Sequence, residues 1–154
     1  MHMRQYWALA GFVGLCLAVG GIAGFATSQS VVDWYPTLNK PAWTPPGWLF
    51  GPVWTLLYVM MAVAAWLVWR AGDARQALGI FALQLALNMA WSFLFFGAKS
   101  PISGLVCIVL LWAAILATIV AFRRKSSVAA ALMLPYLAWV SFATALNGAI
   151  VALN

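Results

Sequence analysis

Charge is what this sequence has least of. Among 154 residues there are eight Lys and Arg, two Asp and Glu, and one His, a charged share of 6%, where a soluble domain carries roughly a quarter. So few charges cannot clothe a water-soluble core, and the 66% hydrophobic composition predicts a single membrane domain over residues 1–154. The scarcity also excludes chemistry. Pumps and proton-coupled carriers place ionisable groups at mid-membrane, and the long apolar runs here hold none. No His or carboxylate cluster is available for a metal, so no metal site is expected. A Ser–His pair is excluded because the only His is His2. Neither phosphate-binding nor dinucleotide fingerprints occur. The net charge of +6 forms no basic stripe on a solvated face, so nucleic acid is not an expected partner. Cys16 and Cys107 both fall inside apolar runs and read as small buried hydrophobes, not as a disulfide framework.

Five apolar runs remain, at about 6–27, 51–69, 77–97, 102–122 and 128–153. Each approaches or exceeds the roughly 20 residues that a helix needs to cross hydrocarbon. The fold class predicted is therefore all-α: an integral membrane bundle of five transmembrane helices. The first run follows Arg4 and ends on Gly24-Phe25-Ala26, which resembles a signal peptide, but it is too long for a signal h-region and is read as a retained span. It carries Ala10, Gly14 and Ala18, then Gly20 and Gly24, spacings that let helices approach closely in lipid. The last three connections are short, which predicts antiparallel neighbours in sequence order. Arg4, Arg70, Arg75, Arg123, Arg124 and Lys125 lie on one side, against Lys40 and Lys99 on the other. That asymmetry predicts the N-terminus inside, in a bacterial cell membrane.

The first connection, about 28–50, is the long one. Pro36, Pro41, Pro45 and Pro46 forbid continuous helix there. Trp34, Tyr35, Trp43 and Trp48 suit the headgroup boundary. A stiff aromatic segment between two helices is expected to act as a lid over the bundle mouth.

With charge absent, function must rest on amides and aromatics. On the third span Gln84, Asn88, Trp91, Ser92 and Phe95 fall within an arc of about 100° at 3.6 residues per turn. Ala82, Ala86 and Ala90 occupy the other side, a strip suited to a homodimer contact. Trp54 and Tyr58 lie one turn apart on the second span, and Trp139, Ala143 and Asn147 share a face of the fifth. Trp54, Asn88, Trp91 and Trp139 sit toward the lid end of three helices. Together they predict a flat aromatic pocket with an amide to orient the guest, the apolar kind of site common for ligands. The guest expected is large, planar and hydrophobic.

Three motifs carry a family resemblance. Trp34-Tyr35 through Lys40-Pro41-Ala42-Trp43-Thr44-Pro45-Pro46-Gly47-Trp48, with Gly51-Pro52-Val53-Trp54, resembles the loop-one signature of the translocator protein family. Its members are also called tryptophan-rich sensory proteins or peripheral-type benzodiazepine receptors. The segment from Asn88 through Trp91 and Phe95 to Lys99 is similar to that family's third-helix motif. The segment Pro135-Tyr136 through Trp139, Phe142, Ala143 and Asn147 is similar to its fifth-helix motif. The resemblance implies a five-helix bundle, usually a homodimer, whose pocket is covered by loop one. It implies binding of porphyrins, above all metal-free protoporphyrin IX, and of drug-like planar ligands, in tetrapyrrole or stress regulation. The porphyrin would be a ligand, with no cofactor required. Ligand contacts are expected from Trp43, Pro45, Pro46, Trp54, Tyr58, Asn88, Trp91, Trp139, Phe142, Ala143 and Asn147.

The resemblance also implies an enzymatic alternative, light-driven porphyrin degradation through Trp54 and Trp139. A purely structural membrane subunit is the bland alternative. The animal sterol motif, with its Tyr and Arg near the end of the fifth helix, is missing from Ala143 to Asn154, so tight sterol binding is not expected by that route. With no His near the pocket, a metal-free ring held by stacking fits better than an axially ligated haem.

Overall fold

The computed structural model describes residues 2–154. Within them the chain folds into five long helices: α1 (His2–Asp33), α2 (Phe50–Ala71), α3 (Arg75–Ser92), α4 (Pro101–Arg123) and α5 (Ser127–Leu153). A π turn, Phe93–Gly97, continues α3, and two short 3₁₀ turns, Tyr35–Thr37 and Gly47–Leu49, punctuate loop one. All five helices are long and apolar enough to cross a membrane. Backbone polar groups in hydrocarbon must be satisfied within the segment, and helices do this.

Two boundaries differ from the sequence expectation. The first helix does not stop at residue 27 but runs to Asp33. Nothing in Ser28–Asp33 breaks a helix, and the first proline is Pro36. Ser30 is buried there and donates its hydroxyl to the Phe96 carbonyl at 2.6 Å. Loop one is correspondingly shorter than 28–50. At the other end of the site, α3 does not finish as plain α-helix: the Ala98 amide donates to the Phe93 carbonyl at 2.7 Å, a five-residue spacing. The wider turn brings both Phe95 and Phe96 into the interior.

The neighbour order follows the chain except at α2–α3, which pack on each other little. α1 packs on α2 and α3, α2 on α5, α5 on α4, and α4 on α3. Viewed down the bundle, the ring runs α1–α2–α5–α4–α3. α2 and α3 meet at a tight turn, with Gly72 at φ 83° and Asp73 at φ 47°, and then diverge. The space between them, near the loop-one end, is where the site lies. α5 is unbroken although Pro135 sits inside it. Proline removes one intrahelical hydrogen bond, and this one lies on the exposed face.

The core is built from small and aliphatic groups. Met61, Ala62, Ala64, Ala65 and Val68 of α2 are fully buried against Leu111 and Ile115 of α4 and Met133 and Val140 of α5. The Ala10, Gly14 and Ala18 strip of α1 faces outward. The close approach comes instead at Gly20, where a Cβ would stand 2.7 Å from the Tyr58 ring.

Loop one closes the mouth from two sides. Trp34 lies edge-on to Phe95 at 5.6 Å, and Tyr35 packs on Phe96 at 5.7 Å. Lys40 sits 4.8 Å above the Tyr35 ring and donates to the Tyr35 carbonyl at 2.9 Å. Burial pushes the Tyr35 phenol above its usual pKa. Farther along, the Asn154 carboxamide donates to the Asn39 carbonyl at 2.8 Å and accepts from the Asn39 amide at 3.1 Å.

Candidate functional site: an aromatic cavity under loop one

Between α1, α2, α3 and α5, beneath loop one, lies a cavity of about 500 Å³. On the α2, α3 and α5 sides its walls are mainly tryptophan and phenylalanine. Trp54 of α2 is the hub, 6.4 Å from Trp91 at 35° and 6.4 Å from Trp139 at 87°. Trp91 stacks on Phe95 at 5.5 Å, and Phe142 lies 5.6 Å from Trp139. These are the separations of favourable aromatic pairs, so the rings brace one another and leave a slot with flat sides.

Most of the residues expected from the sequence meet there. Trp54, Tyr58, Asn88, Trp91, Trp139, Phe142, Ala143 and Asn147 all line the cavity. Trp43, Pro45 and Pro46 do not line it. Trp43 stands above, half exposed, edge-on to Phe142 at 5.5 Å. The lid enters the wall instead through Tyr35, Gly47 and Phe50, and Phe50 meets Trp139 at 6.0 Å.

The polar groups are already engaged with one another. Tyr58 donates to Asn88 Oδ1 at 2.6 Å, Asn88 Nδ2 donates to the Tyr136 hydroxyl at 2.7 Å, and Tyr136 donates to Gln84 Oε1 at 2.7 Å. This relay ties α2, α3 and α5 together. Asn88, expected to bind the guest, gives both its polar atoms to protein partners, because a buried amide in an apolar bundle pairs with whatever polar group it can reach. One N–H and one lone pair of its carboxamide remain. Asn147 is engaged in the same way: it accepts from Trp91 Nε1 at 3.0 Å and donates to the Pro101 carbonyl at 2.9 Å.

One group is left over. Among the described residues, Trp139 Nε1 is the buried side-chain nitrogen or oxygen without a partner. An unsatisfied buried donor is costly; the nitrogen has no surface open to the empty cavity, so a ligand acceptor reaches it only if the indole turns. Composition and spacing carried no signal for this. Nor did they reveal the fourth wall, formed by Leu17, Gly20, Gly21, Gly24, Thr27, Ser28 and Val31 of α1. Its only trace in the sequence is the run of glycines on α1.

The walls differ in exposure. On the α3 and α5 side Ser92, Phe95, Phe96, Leu146 and Ile150 are buried. On the α1 and α2 side Leu17, Gly21, Gly24, Gly51 and Thr55 are exposed, and a Cβ on Gly21, Gly24 or Gly51 would meet nothing within 4 Å. The cavity thus opens sideways, on the side of α1 and α2. No group of metal-ligating side chains occurs among the described residues.

Comparison with known proteins agrees with this architecture. The model of the TspO/MBR family matches residues 12–153. The chain belongs to the TspO/MBR family. It is 48% identical to the tryptophan-rich protein TspO of Chlorobaculum tepidum, over 98% of each chain. It is 38% identical to the tryptophan-rich sensory protein of Cereibacter sphaeroides, over 99% of this chain and 95% of that one. It is 42% identical to the translocator protein of Sus scrofa, over 88% of this chain and 85% of that one. Membership in the TspO/MBR family and five apolar helices together make this an integral membrane protein.

Proposed function

We propose that this TspO/MBR protein binds porphyrins, protoporphyrin IX foremost, and other flat hydrophobic molecules, as a receptor or carrier in tetrapyrrole handling. The observation that carries the reading is the slot itself: three indoles from three helices around about 500 Å³, within the roughly 300–1,000 Å³ of small-molecule pockets. Trp54, Trp91 and Trp139 present faces and edges to a planar guest. Trp139 Nε1, once its indole turns toward the cavity, supplies a donor that no protein group engages, suited to a carbonyl or carboxylate of the ligand. Asn88 acts by holding Tyr58 and Tyr136 in place. The sideways opening suits a guest that partitions into lipid. The excess of Lys and Arg on one side favours an N-terminus inside, in a bacterial cell membrane.

Titration of the detergent-purified protein with protoporphyrin tests this. The expected result is saturable quenching of tryptophan fluorescence, with affinity lost in the Trp54→Ala, Trp139→Ala double variant. An unchanged affinity in that variant would reject the slot.

A second reading is photo-oxidation of the bound ring. The contacts of Trp54 with Trp91 and Trp139 favour it: the excited porphyrin takes an electron from an indole and passes it to oxygen, neighbouring indoles share the hole until it is filled from the ring, and the superoxide adds to the oxidised ring. Illumination of the complex under oxygen distinguishes the two readings. Porphyrin absorbance that decays no faster than for free ligand leaves the protein a binder only.

A further inference from the structure

A second concavity lies on the outside of the bundle, at the opposite end from loop one. It is a groove of about 580 Å³ between α3 and α4. Its floor is apolar: Ala77 and Ile80 of α3, with Ala113, Leu116, Ala117 and Val120 of α4. Small residues on both helices cut the rut, and Trp112 forms its inner end, its indole fixed by donation to Ser141 Oγ at 2.8 Å. The rim is polar and mostly cationic, with Arg124 and Lys125 from the end of α4, Gln76 from α3, and Asp73 from the α2–α3 turn.

Charge at this rim is unbalanced. Lys125 Nζ stands 3.9 Å from the Asp73 carboxylate, which is 98% exposed, so that pair is loose and well screened. It is the only ion pair among the described residues. Arg124 has no carboxylate partner there, and Arg123 beside it has none. The groove therefore offers a hydrocarbon-lined channel running down from a cationic mouth at the membrane boundary. A soluble anion would leave the channel empty, and a neutral lipid would leave the mouth unpaired.

We infer that this groove is a binding site for an acidic phospholipid. The phosphate sits at Arg124 and Lys125, and one acyl chain lies in the rut over Ala77, Ala113 and Ala117 toward Trp112. Basic residues beside a transmembrane helix attract anionic headgroups by about fivefold in affinity per charge. Asp73 opposes this, so its removal should strengthen binding.

Trp112 makes the site readable. The protein is reconstituted into phosphatidylcholine vesicles containing a small fraction of phosphatidylglycerol with brominated tails. The reference vesicles carry the same fraction of brominated phosphatidylcholine. The contribution of Trp112 is taken as the difference from Trp112→Phe. Quenching by the brominated phosphatidylglycerol is expected to exceed that by the phosphatidylcholine at least about threefold. In Arg124→Gln, Lys125→Gln the excess should vanish, and in Asp73→Asn it should grow. Circular dichroism and porphyrin titration, which report on helices and on the distant cavity, should not change in these variants. Equal quenching by the two lipids would overturn the site. So would a selectivity that survives loss of both cations, or displacement of the lipid by millimolar inorganic phosphate.

Discussion

Two residues divide the labour of the cavity. Trp139 holds a buried side-chain donor without a partner among the described residues, and Asn88 makes two of the three hydrogen bonds of the relay. Replacing Trp139 by Phe keeps a ring in the wall but removes the donor. Porphyrin affinity should fall by about two- to tenfold, the worth of a single hydrogen bond, with little loss of stability, since no protein partner is abandoned. Isothermal titration with the wild-type chain alongside measures this. Asn88→Ala should behave in the opposite way. It strands the Tyr58 hydroxyl in the apolar interior and leaves Tyr136 only its bond to Gln84, and thermal unfolding in detergent should show a loss of about 1–3 kcal/mol. At this scale the sequence was readable in part. The positions of Trp54, Asn88, Trp91 and Trp139 on facing arcs follow from helical periodicity alone. Which of their polar atoms stays free does not, because that depends on partners such as Tyr136 and Asn147, which approach from another helix.

At the scale of elements, loop one and the helix ends it touches decide access from above. The loop is anchored on the π turn of α3 through Trp34 and Tyr35, and on the end of α5 through the reciprocal Asn39–Asn154 contacts. The second anchor is exposed, so it is weak. Asn154→Ala should raise the dissociation rate of bound porphyrin several-fold while leaving its association rate nearly unchanged, as stopped-flow fluorescence can show. Element types were legible because charge-free runs of this length admit only one structure in lipid. The extension of α1 to Asp33 was hidden because Ser28–Asp33 is polar enough to read as loop. The π turn was hidden because nothing in Phe93–Gly97 marks a change of helical pitch. Both features are settled by contacts between distant segments, Ser30 with Phe96 above all.

For the whole molecule, what matters is that the aromatic cavity and the outer faces are separate. Ala82 and Ala86 are exposed on α3, turned away from Asn88 and Phe95. A second copy packed on that strip would leave the slot intact. Substituting Leu at both positions should shift the purified protein toward monomer in size-exclusion chromatography with light scattering, with porphyrin affinity held within about twofold. Ring order was the part of the global fold least legible from the chain. The short α2–α3 turn suggests close neighbours, yet the two helices diverge, and the indoles and Tyr58 at their loop-one ends surround the space left between them.

Where the guest sits decides what the aromatic cavity is for. A crystal structure of the protein with metal-free protoporphyrin would locate it directly. The prediction is ring density under loop one, in van der Waals contact with Trp54 and Trp139, and a ligand oxygen within hydrogen-bonding distance of Trp139 Nε1. A porphyrin bound on the outer surface of the bundle, with the aromatic cavity empty, would contradict it.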